Sequence, residues 1–176
     1  ELWDADASTF DSGTHSWVNY SPSANGMEND SGALKITRPS SGGDARGAYV
    51  WLKDATDLSS NLTVGKTYKI TFDAKVDSGS SVDVIVSATS TYSVTVTETS
   101  FTSKSITFIS THATDNYFAM LNMDADEIIW LDNFSLKEVQ GNVGAMTSMA
   151  TDNLTYSSVL PDQSFLTGVN SAYNYI

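Results

Sequence analysis

Cysteine is absent from this chain, which removes disulfides, thiolate nucleophiles and thiolate metal sites together. Histidine occurs only as His15 and His112, so zinc and other soft-ligand ions are poorly served. Lys and Arg total 9 against 21 Asp and Glu, a formal net charge of -12. Nucleic acids and anionic membrane surfaces need clustered cations, so neither is an expected partner. No run approaches the ~20 apolar residues of a membrane-crossing helix. Helix formers such as Glu, Lys and Gln are sparse, and no helical hydrophobic period persists. There is no Gly-x-Ser-x-Gly elbow, no His-Glu-x-x-His and no Gly-rich phosphate loop. Acidic residues abound, but no motif marks a pair for the two-carboxylate chemistry of glycoside hydrolysis. The expectation is a protein that is not an enzyme. The first residue is Glu1, which suggests a chain processed or cut from a longer one.

What is present points to β-structure. Ser and Thr make up 46 of 176 residues, a composition that suits strands joined by polar loops. Thr67 to Val76 alternates strictly: Tyr68, Ile70, Phe72, Ala74 and Val76 share one face, and Thr67, Lys69, Thr71, Asp73 and Lys75 the other. Ten residues of period two predict a half-buried strand. Shorter runs predict further strands at Leu34–Thr37, Ala48–Leu52, Val82–Val86, Val94–Val96, Ile106–Phe108, Tyr117–Leu121 and Ile128–Val139. They recur with turn clusters such as Pro39–Asp44 and Asp77–Ser81 between them. The expected fold is all-β: a two-sheet antiparallel sandwich over residues 1–139, of jelly-roll, galactose-binding-like type. After Val139 the periodicity weakens, and residues 140–176 read as a tail or a connector to a further domain.

Four segments, in order, resemble the family four/nine-like group of carbohydrate-binding modules. Thr9-Phe10-Asp11-Ser12-Gly13 with Trp17 is similar to the group's opening motif, and Ser31-Gly32-Ala33-Leu34-Lys35-Ile36 to its second strand. Leu62 to Lys75 is similar to its central segment, and Ile129-Trp130-Leu131-Asp132-Asn133-Phe134-Ser135-Leu136 to its closing strand. The chain departs from the pattern at Asp11, where the group has Glu, and at Asn133, where it has a second Asp. The resemblance implies a non-catalytic module that binds a polysaccharide or a cell-surface glycan. It also implies a structural calcium held by Asp11 and Asp132, joined by the carbonyl of Lys35. The wording of residues 140–176, including Ser158 to Phe165, is similar to connecting segments of phage virion or tail-associated proteins. That implies an extracellular or virion-surface location and other domains of a larger virion protein as partners. The alternative function is a virion decoration or tail module that makes protein–protein contacts.

The candidate ligand-binding residues are aromatic. In Ala48-Tyr49-Val50-Trp51-Leu52, alternation sends Tyr49 and Trp51 to the face opposite Ala48, Val50 and Leu52. If the aliphatic set is core, two rings face solvent and can pack on the C–H faces of sugars. If it is not, the two rings are core. Tyr92 is the next candidate, and Trp17 is expected to anchor the core. The Asp4-Ala5-Asp6 and Asp124-Ala125-Asp126 pairs lack the Gly and distal Glu of an EF-hand loop and read as solvated loop charges. His15 and His112 read as surface polar residues.

Overall fold

The computed structural model describes residues 1–140 apart from 23–24, 42–44 and 88–90. The expected tail at 140–176 therefore lies almost wholly outside the described residues. Glu1–Val139 forms one compact unit.

The unit opens with a single 3-10 turn, Ala5–Ala7, and continues as ten strands. These are β1 (Val18–Asn19), β2 (Gly26–Asp30), β3 (Ala33–Thr37), β4 (Ala48–Trp51), β5 (Thr67–Val76), β6 (Val82–Ser87), β7 (Thr91–Val96), β8 (Thr102–Ile109), β9 (Tyr117–Leu121) and β10 (Ile128–Glu138). Every pairing is antiparallel. The first sheet has the order β1-β4-β9-β6-β7 and the second β2-β3-β10-β5-β8. The all-β two-sheet sandwich expected from the periodicity is the fold observed.

The long strand β5 spans Thr67–Val76, as its alternation predicts, with Tyr68, Ile70, Phe72, Ala74 and Val76 all at most 2% exposed. Its partner β10 buries Ile129, Leu131, Phe134 and Leu136. The shift from odd to even positions is made by a bulge between Asp132 and Ser135. Asn133 takes the left-handed conformation there, φ 53°, which Asn adopts more readily than most residues. Asn133 also donates from Nδ2 to Asp73 at 2.9 Å.

The two sheets meet over aromatic rings. Phe72 of β5 and Phe134 of β10 stack at 5.7 Å. Phe118 of β9 approaches both edge-on, at 5.0 and 5.4 Å. Trp3 stacks on Phe134 at 4.8 Å, and Trp17, 4% exposed, anchors the cluster as expected. Each such pair adds about 0.5–1.5 kcal/mol beyond the area it buries.

Two strands escaped the sequence reading. β2 is polar and largely exposed, so it carries no apolar alternation. It is held by pairing with β3 across a two-residue turn in which Ser31 (φ 59°) and Gly32 (φ 88°) are both left-handed, the primed-turn geometry that matches strand twist. β1 has only two residues, Val18 and Asn19, too few for any period.

Candidate functional site

The first sheet's outer face is built from β4 outward. Ala48 and Val50 are fully buried, while Tyr49 and Trp51 are partly exposed on the opposite side. The aliphatic set is core, and the two rings project from the sandwich. Register then fixes their neighbours. Val18 pairs with Tyr49, Tyr49 with Ala119, and Trp51 with Tyr117. Phe118 and Met120 of β9 point inward and are fully buried, so Tyr117 faces out beside Trp51. Tyr20, just past β1, completes a cluster of four rings. Tyr20 and Tyr49 lie 4.6 Å apart, Tyr49 and Trp51 5.8 Å, and Trp51 and Tyr117 5.5 Å.

The rings are tilted against one another by 42 to 86°. They make a faceted surface, not a flat shelf. Tyr20 and Tyr117 are joined by a side-chain hydrogen bond, and burial, followed by the neighbouring phenol, pushes the Tyr20 hydroxyl up to about 12. That phenol stays neutral at any ordinary pH and keeps its proton to donate. Arg46 lies 4.8 Å from the Tyr20 ring and Lys53 5.8 Å from the Trp51 ring. The two cations precede and follow β4, so they bracket the cluster.

The position before β4 is tight for anything larger than glycine. A Cβ on Gly47 would stand 2.8 Å from Met123 Sδ and 3.1 Å from Ile36 Cγ2. Gly47 also accepts from Tyr20 N–H at 3.2 Å and donates to Met120 at 3.1 Å. It thus ties the Tyr20 segment and β9 to the start of β4.

Beyond the rings the same face turns polar. Tyr117 pairs with Ser87, and Ser87 with Thr91. Ser93 and Thr95 follow along β7 and are exposed. Asp83 accepts from Thr95 Oγ1 at 2.7 Å and from Asn122 Nδ2 at 2.9 Å. Asp83 is the one carboxylate on the strands of this sheet, so these strands carry no carboxylate pair.

Tyr92 does not belong to this face. It pairs with Val86, packs against the core and lies 6.3 Å from Phe108. Alternation along β7 decides this: Val94 and Val96 share its side and pack inward. The reading missed Tyr20 and Tyr117. The alternation of Tyr117 with Phe118 and Met120 signals an outward ring, whereas nothing around Tyr20 carries a period.

The residues implied for calcium are partly assembled. Asp132 lies close enough to Asp73 and Asp11 to feel their charge. Burial, then Asp73 and Asp11, hold the Asp132 carboxyl above the usual aspartate range. Crowded, partly buried carboxylates suit a hard cation. Asp11 also sits against Gly32, where a Cβ would lie 2.9 Å from its Oδ1. Lys35 does not fit. It pairs with Trp130 on one side and Glu28 on the other, inside the sheet, while Leu131, the neighbour of Asp132, pairs with Leu34. Among the described residues no three His, Asp or Glu side chains form a group ready to hold a metal.

No family model matches the chain, nor does any curated protein. Solved structures do resemble it. One is described as a CBM4 structure: TM-score 0.54, 16% identity, covering 76% of this chain and 98% of its own. The fold is shared with carbohydrate-binding modules. A family 16 carbohydrate-binding module follows at TM-score 0.52 and 17% identity, covering 74% of this chain and 96% of its own. The CBM22-1 xylan-binding domain from Paenibacillus barcinonensis is similar at TM-score 0.51 and 13% identity, covering 71% and 86%. At such identities the likeness concerns architecture, and the side chains of the outer face must speak for themselves.

Proposed function

We propose that residues 1–139 are a non-catalytic carbohydrate-binding module whose β1-β4-β9-β6-β7 face receives a glycan. The observation that carries this is the cluster of Tyr20, Tyr49, Trp51 and Tyr117, projecting from one sheet face beside a field of exposed hydroxyls. Sugar rings offer apolar C–H faces to aromatic planes and hydroxyls to polar side chains, and this face supplies both. The shared architecture supports the same reading. The ligand is a polysaccharide or cell-surface glycan, which places the module outside a cell. Nothing on the described surface favours the virion-module alternative. A glycan array followed by calorimetry tests the reading. Binding to neutral glycans that is lost in Trp51→Ala supports it, and an array blank for all glycans overturns it.

A structural calcium at Asp11 and Asp132 is part of the same proposal. The two carboxylates would be the protein's donors, and a bound ion would tie the opening loop to β10. Glycan binding does not pass through it.

A further inference from the structure

The first sheet's outer face holds a carboxylate outside the ring cluster. Val82 and Val84 are fully buried, so Asp83 between them stands outward on β6, half-buried. Thr95 Oγ1 donates to its Oδ1 at 2.7 Å, and Asn122 Nδ2 donates to its Oδ2 at 2.9 Å. Asn122, the residue after β9, is left-handed at φ 56°, a conformation Asn tolerates better than most residues. Among the described residues no Lys or Arg pairs with Asp83, whereas Glu28, Glu98 and Glu138 of the second sheet and its flanks each have a lysine. The Asp83 carboxylate is thus held in place by two neutral donors. A carboxylate offers about four acceptor sites, and each Asp83 oxygen gives one of its own to the protein. One site on each oxygen remains for two further donors side by side.

Register sets the distance from Asp83 to the rings. Tyr49 pairs with Ala119, and Ala119 with Ile85, two positions from Asp83. Two strand spacings across and two residues along separate the Tyr49 and Asp83 backbones by about 12 Å. One sugar cannot stack on Tyr49 and also reach Asp83, but a chain of sugars can. We propose that Asp83 is the specificity-determining residue of this face, accepting from two adjacent hydroxyls of a neutral glycan chain whose other end lies on the rings. Adjacent sugar hydroxyls present two O–H donors side by side, and bonds from them to a carboxylate are stronger than bonds to a neutral acceptor. A uronic or sulfated sugar is rejected at this position, because its charge would meet Asp83 with no cation between them. An O-acetylated sugar is rejected as well, because an ester has no O–H to give and leaves the carboxylate unpaired. This assignment rests on the glycan reading of the same face and deepens it: the ligand is an unsubstituted neutral chain, not a single sugar or an acidic polysaccharide.

The test titrates the full chain by calorimetry with cello-, xylo- and manno-oligosaccharides, from disaccharide to hexasaccharide, and with partly O-acetylated forms of the series that binds. Wild-type affinity should rise with length until the chain spans both ends of the face, and acetylation should lower it. Asp83→Asn removes the charge but keeps the shape. It should melt close to wild type and bind the short members equally well. It should lose about tenfold on the long members and stop discriminating against the acetylated forms. Loss of that discrimination is a readout that a merely structural role would not move. Asn122→Gly with Thr95→Val, which frees the carboxylate from both donors at exposed positions, should weaken the long members several-fold. Wild-type length dependence and discrimination in Asp83→Asn overturn the proposal and leave the glycan reading standing. Should that variant fail to fold, the same result in the double variant overturns it. Wild type that binds no member of the three series overturns the neutral-chain assignment, while the glycan reading itself falls only with a blank array.

Discussion

The two outer faces of the sandwich both carry aromatic rings, yet they use them differently. On the second sheet, Trp130 of β10 stands between Lys35 of β3 and Lys75 of β5, its partners in register. Lys75 lies 4.7 Å from the Trp130 ring and 4.9 Å from Phe101, and Lys35 lies 6.0 Å from Trp130. The indole N–H donates to Asp30 at 2.9 Å, and Lys35 pairs with Glu28 at 3.0 Å. Rings and charges there satisfy one another. On the first sheet the rings meet mainly other rings, the cations stand at the ends of β4, and the hydroxyls of β7 are exposed. An exposed aromatic is a binding platform only when its face is not already occupied by the protein's own side chains. By that criterion the first face is the one we propose: Arg46 lies 4.8 Å from Tyr20 and Lys53 5.8 Å from Trp51, but Tyr49 and Tyr117 meet other rings.

The comparison is broken most directly by deleting its centre. Trp51→Ala should lower glycan affinity at least about tenfold, a loss of about 1.4 kcal/mol, while leaving the melting temperature nearly unchanged. Stacking on neutral sugars is weak, so wild-type affinity should be about micromolar to millimolar, and the variant should show no heat in calorimetry. Unfolding of this variant would mean that Trp51 acts as core. Trp130→Ala should do the reverse. It strips the ring from beneath two lysines, destabilises by about 1–2 kcal/mol, and leaves glycan binding intact. Loss of glycan binding in Trp130→Ala would transfer the site to the second face.

Gly47→Ala sharpens the same contrast from beneath. The added methyl meets Met123 and Ile36 inside contact distance, and overpacking of this kind costs about 1–3 kcal/mol. Because Gly47 also bonds Tyr20 and β9, the damage should appear in glycan affinity as well as in a denaturant melt. A variant that folds with wild-type stability would mean that the Met123 thioether simply moves aside.

How much of this was readable in advance follows from period and length. β5 was legible to the residue because ten alternating positions leave one register possible. Tyr49 and Trp51 were legible as a same-side pair, but their direction depended on which face of β4 is core, and that is set by β9 and β1 across the sheet. Tyr92 looked equivalent by type and failed because Val94 and Val96 share its side. Lys35 failed for a related reason: the resemblance gave a residue number, whereas the pairing of Leu131 with Leu34 sets which level of β3 stands near Asp132. Tyr20 sits on a segment too short for any pattern. Ser16 N–H donates to Asp57 across 41 positions of sequence, which no local motif records.

Ionic strength and acid separate the faces most gently. Among the described residues, the closest ion pairs belong to the second sheet and its flanks: Lys104–Glu98 at 2.5 Å, Lys35–Glu28 and Lys66–Glu138 at 3.0 Å, and Lys137–Glu1 at 3.7 Å. Lys104 and the backbone N–H groups beside it hold the Glu98 carboxyl down at about 2, against an ordinary value of 4.5. A carboxyl held down in the folded state binds fewer protons there than in the unfolded chain. Its contribution is therefore fully present above 4.5 and is lost as pH falls from 4.5 toward 2. The pair is solvent-accessible, so the effect is modest and salt weakens it further. Lys104→Gln should flatten the fall in melting temperature across that acid window by a small, measurable amount, and added salt should mimic it in wild type. Glycan affinity at neutral pH should not respond to either change, because stacking and neutral hydrogen bonds carry little charge. A strong salt dependence of glycan binding would mean that Arg46 and Lys53 contact an anionic ligand, and the first face would then owe its selectivity to its two bracketing cations instead of its rings.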